Sequence, residues 1–127
     1  MNPVLIIEDN RDNLALIKFI LHKDGYTTRF ATTGTEGVKE ALNSAFTFII
    51  LDIQLPGIEG TEVLEMIRVH EREHPDLEPV HIIAMTSYAM SGDREKHLAA
   101  GCNGYIEKPI EPHEVMQQKK DIVQGET

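Results

Sequence analysis

The sequence predicts an α/β fold, a doubly wound parallel sheet of five strands interleaved with five helices. Two observations predict it. Of five short strand-like segments, PVLII, TFIIL and VHIIAM are apolar almost throughout, where a half-exposed strand would alternate apolar with polar; this is the pattern of strands covered on both faces. Between them, apolar residues recur three and four apart, the spacing that lines one face of a helix. Size agrees. At 127 residues, 41% of them hydrophobic and 26% charged, the chain matches one compact domain with a core of its own.

The elements follow in order. Pro3–Ile7 (PVLII) is the first strand and runs into Glu8-Asp9-Asn10. Leu14, Ile17 and Leu21 stand at i, i+3 and i+7 and make a first helix, which Gly25 stops. Thr27–Ala31 (TTRFA) is the second strand, and Gly34–Ser44 the second helix, with Val38, Ala41 and Leu42 turned inward. Thr47–Leu51 (TFIIL) is the third strand and delivers Asp52 at its end. Val63, Met66 and Ile67 mark a third helix, expected to fray before Pro75. Val80–Met85 (VHIIAM) is the fourth strand, Asp93–Ala100 a fourth helix closed by Gly101, and Gly104–Glu107 (GYIE) the fifth strand. Pro112 suits the first turn of a fifth helix, where a missing N–H costs nothing. Residues 1–124 form one expected domain and 125–127 a frayed tail, with no linker, repeat or low-complexity segment between.

Composition narrows the functional classes. Twelve Lys plus Arg against 21 Asp plus Glu give a net charge of −9, which repels phosphate backbones and argues against direct nucleic-acid binding. No apolar run reaches the ~20 residues of a membrane span, and the N-terminus carries no basic segment followed by a long apolar one. A single cysteine, Cys102, excludes an internal disulfide and fits a reducing compartment. The expected location is the cytoplasm.

Ligands of open α/β sheets bind outside the carboxyl ends of the strands. Asp52 ends the third strand, and Glu8 and Asp9 end the first. Thr86 follows the fourth and Lys108 the fifth. Four strands thus bring polar groups to one rim.

These residues carry a resemblance. The segments IIEDN, LDIQLPGIEG, AMTSYAM and GYIEKPI, in this order and at these spacings, resemble the receiver domain of two-component response regulators along essentially the whole chain. EDNRDN and AMSGDREKHLAAGCNGYIEKPI are most similar to stand-alone single-domain receivers and the receivers of hybrid histidine kinases. The resemblance implies a flavodoxin-like sheet of order 2-1-3-4-5. It implies a phosphoacceptor domain whose donor is a histidine kinase or a histidine phosphotransfer protein, and whose phosphorylated form alters binding to an output protein. Such a domain is no enzyme beyond its own phosphorylation and autodephosphorylation.

The residues can carry that chemistry. Carboxylates about 4 Å apart repel by about 4 kcal/mol at an effective dielectric near 20. Mg²⁺, which binds through a few carboxylates and keeps several waters, removes that cost. Asp9 and Asp52 are the expected direct ligands and Glu8 acts through water; the resemblance adds the backbone carbonyl of Gln54. Taken alone, Glu8-Asp9 before an amphipathic run reads as a helix cap; with Asp52 on the same rim, the metal reading wins. Asp52 is the phosphoacceptor, a carboxylate that attacks phosphorus to form an acyl phosphate. Phosphoryl transfer needs its equatorial oxygens neutralised. Lys108 takes one oxygen as a compact charge, and the Thr86 hydroxyl with the Ser87 N–H takes another. An isolated threonine satisfies its own backbone and an isolated lysine is solvated, but this pair on this rim is neither.

Around them, the resemblance implies a cis bond at Lys108-Pro109 that aims the lysine at the rim. Ser87 is small and leaves the phosphorus approachable, while Gln54 and Tyr88 flank it and govern attack by water. Tyr105 is the expected readout, an aromatic that swings inward when Thr86 is drawn to the phosphate; the competing role is packing.

The remaining features are plainer. His70 and His74 stand four apart without a third ligand nearby, which suits a solvated helix end. Cys102 reads as a small buried residue, and Met85, Met90 and Met116 have no cofactor spacing. In the last helix Gln118 and Lys119 interrupt the apolar stripe between Val115 and Ile122. Either that helix packs loosely or Lys119 lays its aliphatic stem over the core. Of the rival functions, an aspartyl-nucleophile phosphohydrolase needs a second acid where Gln54 stands. A flavin carrier needs a phosphate loop where Glu8 and Asp9 would repel the phosphate. A degenerate scaffold would not keep the complete set of acids, threonine and lysine.

Overall fold

The computed structural model of the chain describes residues 2–87 and 101–125, the last three by backbone alone. Its elements are β1 (Val4–Ile7), α1 (Arg11–Lys23), β2 (Thr28–Ala31), α2 (Gly34–Asn43), β3 (Ile49–Asp52), α3 (Gly60–Glu73), β4 (Ile82–Thr86), β5 (Gly104–Glu107) and α4 (Pro112–Gly125). The five strands form one all-parallel sheet of order β2-β1-β3-β4-β5. The described residues hold four helices; the expected helix at Asp93–Ala100 lies outside them.

The pleat sorts the core into two layers. Val4, Ile6, Phe48, Ile50, Ile83, Met85 and Ile106 face α1 and α4. Leu5, Ile7, Ile49, Leu51, Ile82, Ala84 and Tyr105 face α2 and α3. Fully burying one such aliphatic side chain stabilises by about 1.5–3 kcal/mol, so the central strands anchor the domain.

Helix ends match their chemistry. Asn10 caps α1 by accepting the Asn13 N–H at 2.9 Å. Thr33 caps α2 by accepting the Glu36 N–H at 3.1 Å. Gly25 follows α1 with φ +90°, and α3 ends at Glu73, before Pro75.

Several expectations need correction. The third strand begins at Ile49, two residues later than Thr47, whose N–H is held by the Pro3 carbonyl at 2.9 Å. Leu42 is not inward but 36% exposed. The inner face of α2 runs through Gly34, Gly37, Val38 and Ala41, and a Cβ on Gly37 would come 2.6 Å from Ile7 Cδ1. The helix seats on that glycine face, and Leu42 is roughly a quarter turn away from it. Met66 lies in α3 as expected and is 48% exposed, the buried stripe running through Gly60, Val63, Leu64 and Ile67. The fourth strand begins at Ile82, two residues later than Val80. The Val80 N–H is held by Glu71 Oε2 (2.7 Å) and its carbonyl by Arg68 Nη1 (2.8 Å), so its backbone is committed to α3.

Gln118 and Lys119 leave no gap in α4. Tyr105 N–H, on the edge strand β5, donates to Gln118 Oε1 at 3.3 Å, so this side chain pairs with the backbone of the sheet edge. Lys119 Nζ pairs with Asp24 Oδ2 at 2.5 Å and lies 5.5 Å over the Tyr26 ring, which packs edge-on against Phe48. Both polar side chains tie the helix down.

Candidate functional site

Pleat parity decides which side chains meet at the carboxyl ends of the strands. Asp52 continues the parity of Phe48 and Ile50, Glu8 that of Val4 and Ile6, and Lys108 that of Ile106. All three therefore turn to the α1 side. Thr86 continues Ile82 and Ala84 on the opposite face, which also carries Tyr105. The register pairs Ala84 with Tyr105 and Thr86 with Glu107, so Thr86 and Tyr105 are diagonal neighbours.

Two glycines shape the turn after Asp52. Gly57 has φ +80°, a conformation that side chains rarely adopt. Gly60, the first residue of α3, lies so close under the strand end that a Cβ there would stand 2.5 Å from the Asp52 carbonyl oxygen and 2.4 Å from Ile53 Cα. Gln54 N–H donates to Asp52 Oδ1 at 2.9 Å, fixing the carboxylate from its own loop.

The carboxylates crowd. Oxygens of Glu8, Asp9 and Asp52 all lie within 4.8 Å of one another. Glu8 is 0% exposed and Asp52 1%, while Asp9 is exposed. Lys108 Nζ stands 3.0 Å from Asp52 Oδ2 and 3.6 Å from Glu8 Oε1. The approach to Asp52 Oδ2 is outside hydrogen-bonding geometry, and both that oxygen and Glu8 Oε2 are buried without a hydrogen-bond partner. Burial first, then the neighbouring Asp52, push the Glu8 carboxyl up to about 8 from its ordinary 4.5; Asn13 and Lys108 oppose the rise. One ammonium does not satisfy two buried acids.

The other expected residues assemble around this centre. Thr86 is buried at the end of β4, and its carbonyl accepts the Lys108 N–H at 2.9 Å. Lys108-Pro109 is cis. Ser87 is exposed, and its N–H donates to Gln54 Oε1 at 3.1 Å. Tyr105 is inward, packed in the layer of Leu64, Ile67 and Cys102. Tyr88 and Met90 lie outside the described residues. His70 and His74 stack on each other with ring centroids 4.1 Å apart and join no metal-ligating group among the described residues. Burial pushes the Cys102 thiol up, which suits an inert packing residue.

One contributor was missed in the sequence reading: Asn13, whose Nδ2 donates to Glu8 Oε1 at 2.8 Å. The available signal was its place three residues after the capping Asn10, where a side chain can reach back beyond the cap.

The chain is similar to known proteins in sequence and in fold. Residues 4–120 match the family described as the response regulator receiver domain. The polar-differentiation response regulator DivK of Brucella ovis is 36% identical over 107 residues, covering 84% of each chain. The solved receiver domain of sensor histidine kinase PA1611 from Pseudomonas aeruginosa PAO1, with a magnesium ion coordinated in its active site cleft, is 32% identical; the match covers 94% of this chain and 95% of that one at a TM-score of 0.80. The receiver domain of Saccharomyces cerevisiae Ssk1, solved with the histidine phosphotransfer protein Ypd1, is 31% identical at a TM-score of 0.85, covering 93% and 88% of the two chains.

Proposed function

The chain belongs to the response regulator receiver family of two-component systems, and we propose that it accepts a phosphoryl group on Asp52 and thereby changes its binding to a partner protein. The observation that carries the assignment is the setting of Asp52. It is a buried carboxylate at the end of a central strand, 3.0 Å from the Lys108 ammonium and grouped with two further acids.

The donor is a phosphohistidine on a histidine kinase or a histidine phosphotransfer protein, a reading supported by the Ssk1–Ypd1 complex. An Asp52 oxygen attacks phosphorus, the O–P bond forms as the N–P bond breaks, and the imidazole leaves. The charge on the transferred oxygens is met by Lys108, by the Thr86 hydroxyl and by the Ser87 N–H. Because Gln54 Oε1 holds that N–H, Gln54 must release it before a phosphoryl oxygen can take it. Thr86, moving toward the phosphoryl group, alters the surroundings of its neighbour Tyr105, and the two carry the change to the output surface.

The donor set fits a divalent cation. Three carboxylates within 4.8 Å, two of them buried, and an orphaned Glu8 oxygen suit a hard ion with oxygen ligands. Asp9 and Asp52 would bind Mg²⁺ directly, with the Gln54 carbonyl, and Glu8 would act through water. When bound, Mg²⁺ neutralises part of the charge that the acids and the phosphoryl group share.

The test is incubation with a small acyl phosphate, with Mg²⁺ or with a chelator, followed by mass spectrometry. The expected result is one acid-labile acyl phosphate that requires the metal and disappears in Asp52→Asn with the fold retained. Undiminished labelling of Asp52→Asn would refute the assignment.

A further inference from the structure

Of the acids in the site, Glu8 has the most peculiar surroundings. It is fully buried, and its two oxygens are treated differently. Oε1 accepts from Asn13 Nδ2 at 2.8 Å and lies 3.6 Å from Lys108 Nζ. Oε2 is buried and has no hydrogen-bond partner.

Asn13 is held from behind. Its N–H donates to the Asn10 side chain at 2.9 Å, and the Leu14 N–H donates to the Asn10 carbonyl at 3.0 Å, so the first turn of α1 is closed around it. An asparagine at this position has an amide fixed to the helix cap and a second amide on a short arm of few rotamers. It reaches out of the helix to a carboxylate two residues before the cap. The first turn of α1 thereby sets which Glu8 oxygen is occupied and which is left over.

We propose that Asn13 is a positioning residue for the cation site: by holding Glu8 Oε1 it keeps Oε2 as the Glu8 oxygen turned to an incoming cation or its water, and it competes for Oε1 with Lys108, whose ammonium stands 3.6 Å away. This rests on the cation reading above. Without the Asn13 donor, Oε1 would be left to Lys108, and tightening of their 3.6 Å pair would draw the acid away from the ion and the ammonium away from Asp52. Partners that orient metal-binding groups typically contribute 10–100-fold in affinity when the group they orient binds the ion directly. For an acid acting through water, the lower end applies.

The experiment is a Mg²⁺ titration of the intact chain by calorimetry and by amide chemical shifts, with unfolding followed separately in chelator. Asn13→Ala is expected to weaken Mg²⁺ binding about tenfold. In a Glu8→Ala background the same substitution is expected to change nothing further, because the carboxylate it positions is gone. Should Asn13→Ala fail to fold, Asn13→Ser, which shortens the donor arm but keeps a hydroxyl in the first turn, takes its place with the same expectation. Parent-like Mg²⁺ affinity in the folded Asn13 variant would overturn the proposal, as would an equal loss in both backgrounds, which would mark a merely structural role. The cation reading is tested separately by Asp9→Ala: if the parent binds Mg²⁺ and Asp9→Ala weakens it while Asn13→Ala does not, the reading stands and this inference falls. A parent chain that binds no Mg²⁺ overturns both.

Discussion

The two ends of the sheet each bury an ionic cluster, and the two are built to opposite rules. At the amino ends of the strands, Arg68 and Glu71 of α3 are 14% and 11% exposed and pair at 2.7 Å. Arg68 Nε donates to the Gly101 carbonyl (2.9 Å), Nη1 to the Val80 carbonyl (2.8 Å) and Nη2 to Asn103 Oδ1 (2.9 Å). Glu71 Oε2 accepts the Val80 N–H at 2.7 Å, and Asn103 Oδ1 also accepts the Ile82 N–H at 2.8 Å. Both carboxylate oxygens and all three guanidinium nitrogens are used. At the carboxyl ends, Glu8 and Asp52 are more deeply buried, yet each keeps an oxygen without a hydrogen bond. A buried polar network contributes to structure when every member is satisfied and is costly when it is not. The amino-end cluster is therefore structural. The carboxyl-end cluster is incomplete within the protein alone, the state expected of a site finished by a ligand.

The largest effect is expected at Arg68. Removing one partner of a buried, hydrogen-bonded pair leaves the other charge uncompensated, so Arg68→Ala should destabilise the domain by about 3–5 kcal/mol. Denaturant unfolding checks this, and a loss under about 1 kcal/mol would show that the amino-end network is ornamental.

Substitution at the other end should act in the opposite direction. The Glu8 carboxyl has its pKa raised to about 8 in the fold, against an ordinary 4.5. The stability it contributes is full below pH 4.5, where both states are protonated, and is lost as pH rises toward 8 and the buried group must ionise. The metal-free parent should therefore lose on the order of a few kcal/mol relative to Glu8→Gln between pH 5 and 9. Thermal unfolding of the two proteins in chelator, compared across that range, isolates this contribution; parallel profiles would mean that Glu8 is not strained in the fold.

The smallest expected effect is at Lys119, whose pairing with the partly exposed Asp24 is of the surface kind. Lys119→Ala should cost about 0.2–1 kcal/mol by the same unfolding measurement.

The two ends also differ in how much of them the sequence disclosed. The acids, Thr86 and Lys108 were legible because each closes an apolar run, and the ends of parallel strands meet at one rim. The Arg68 network was not, since beyond Glu71, three residues along the same helix, its partners lie 12, 33 and 35 residues away and share no spacing rule. The inner face of α2 was misjudged for a related reason. Leu42 looked apolar enough to turn inward, but close packing of Gly37 on Ile7 outweighs side-chain size in orienting the helix. Gln118 and Lys119 looked like a break in the apolar stripe because their partners, the Tyr105 N–H and Asp24, belong to a strand edge and a turn that only the fold brings near.

Carboxyl-end acids that a cation completes should make the fold more stable when that cation is present. Its most direct test is the unfolding free energy of the parent at pH 8 in chelator and in Mg²⁺, with Asp52→Asn measured alongside. At a Mg²⁺ concentration 100-fold above its dissociation constant, the parent should gain about 2.7 kcal/mol. Asp52→Asn should start at least as stable in chelator, with one buried charge fewer, and gain markedly less from the same Mg²⁺ concentration. A parent whose unfolding free energy is the same in Mg²⁺ and in chelator would mean that no Mg²⁺ completes the carboxyl-end cluster.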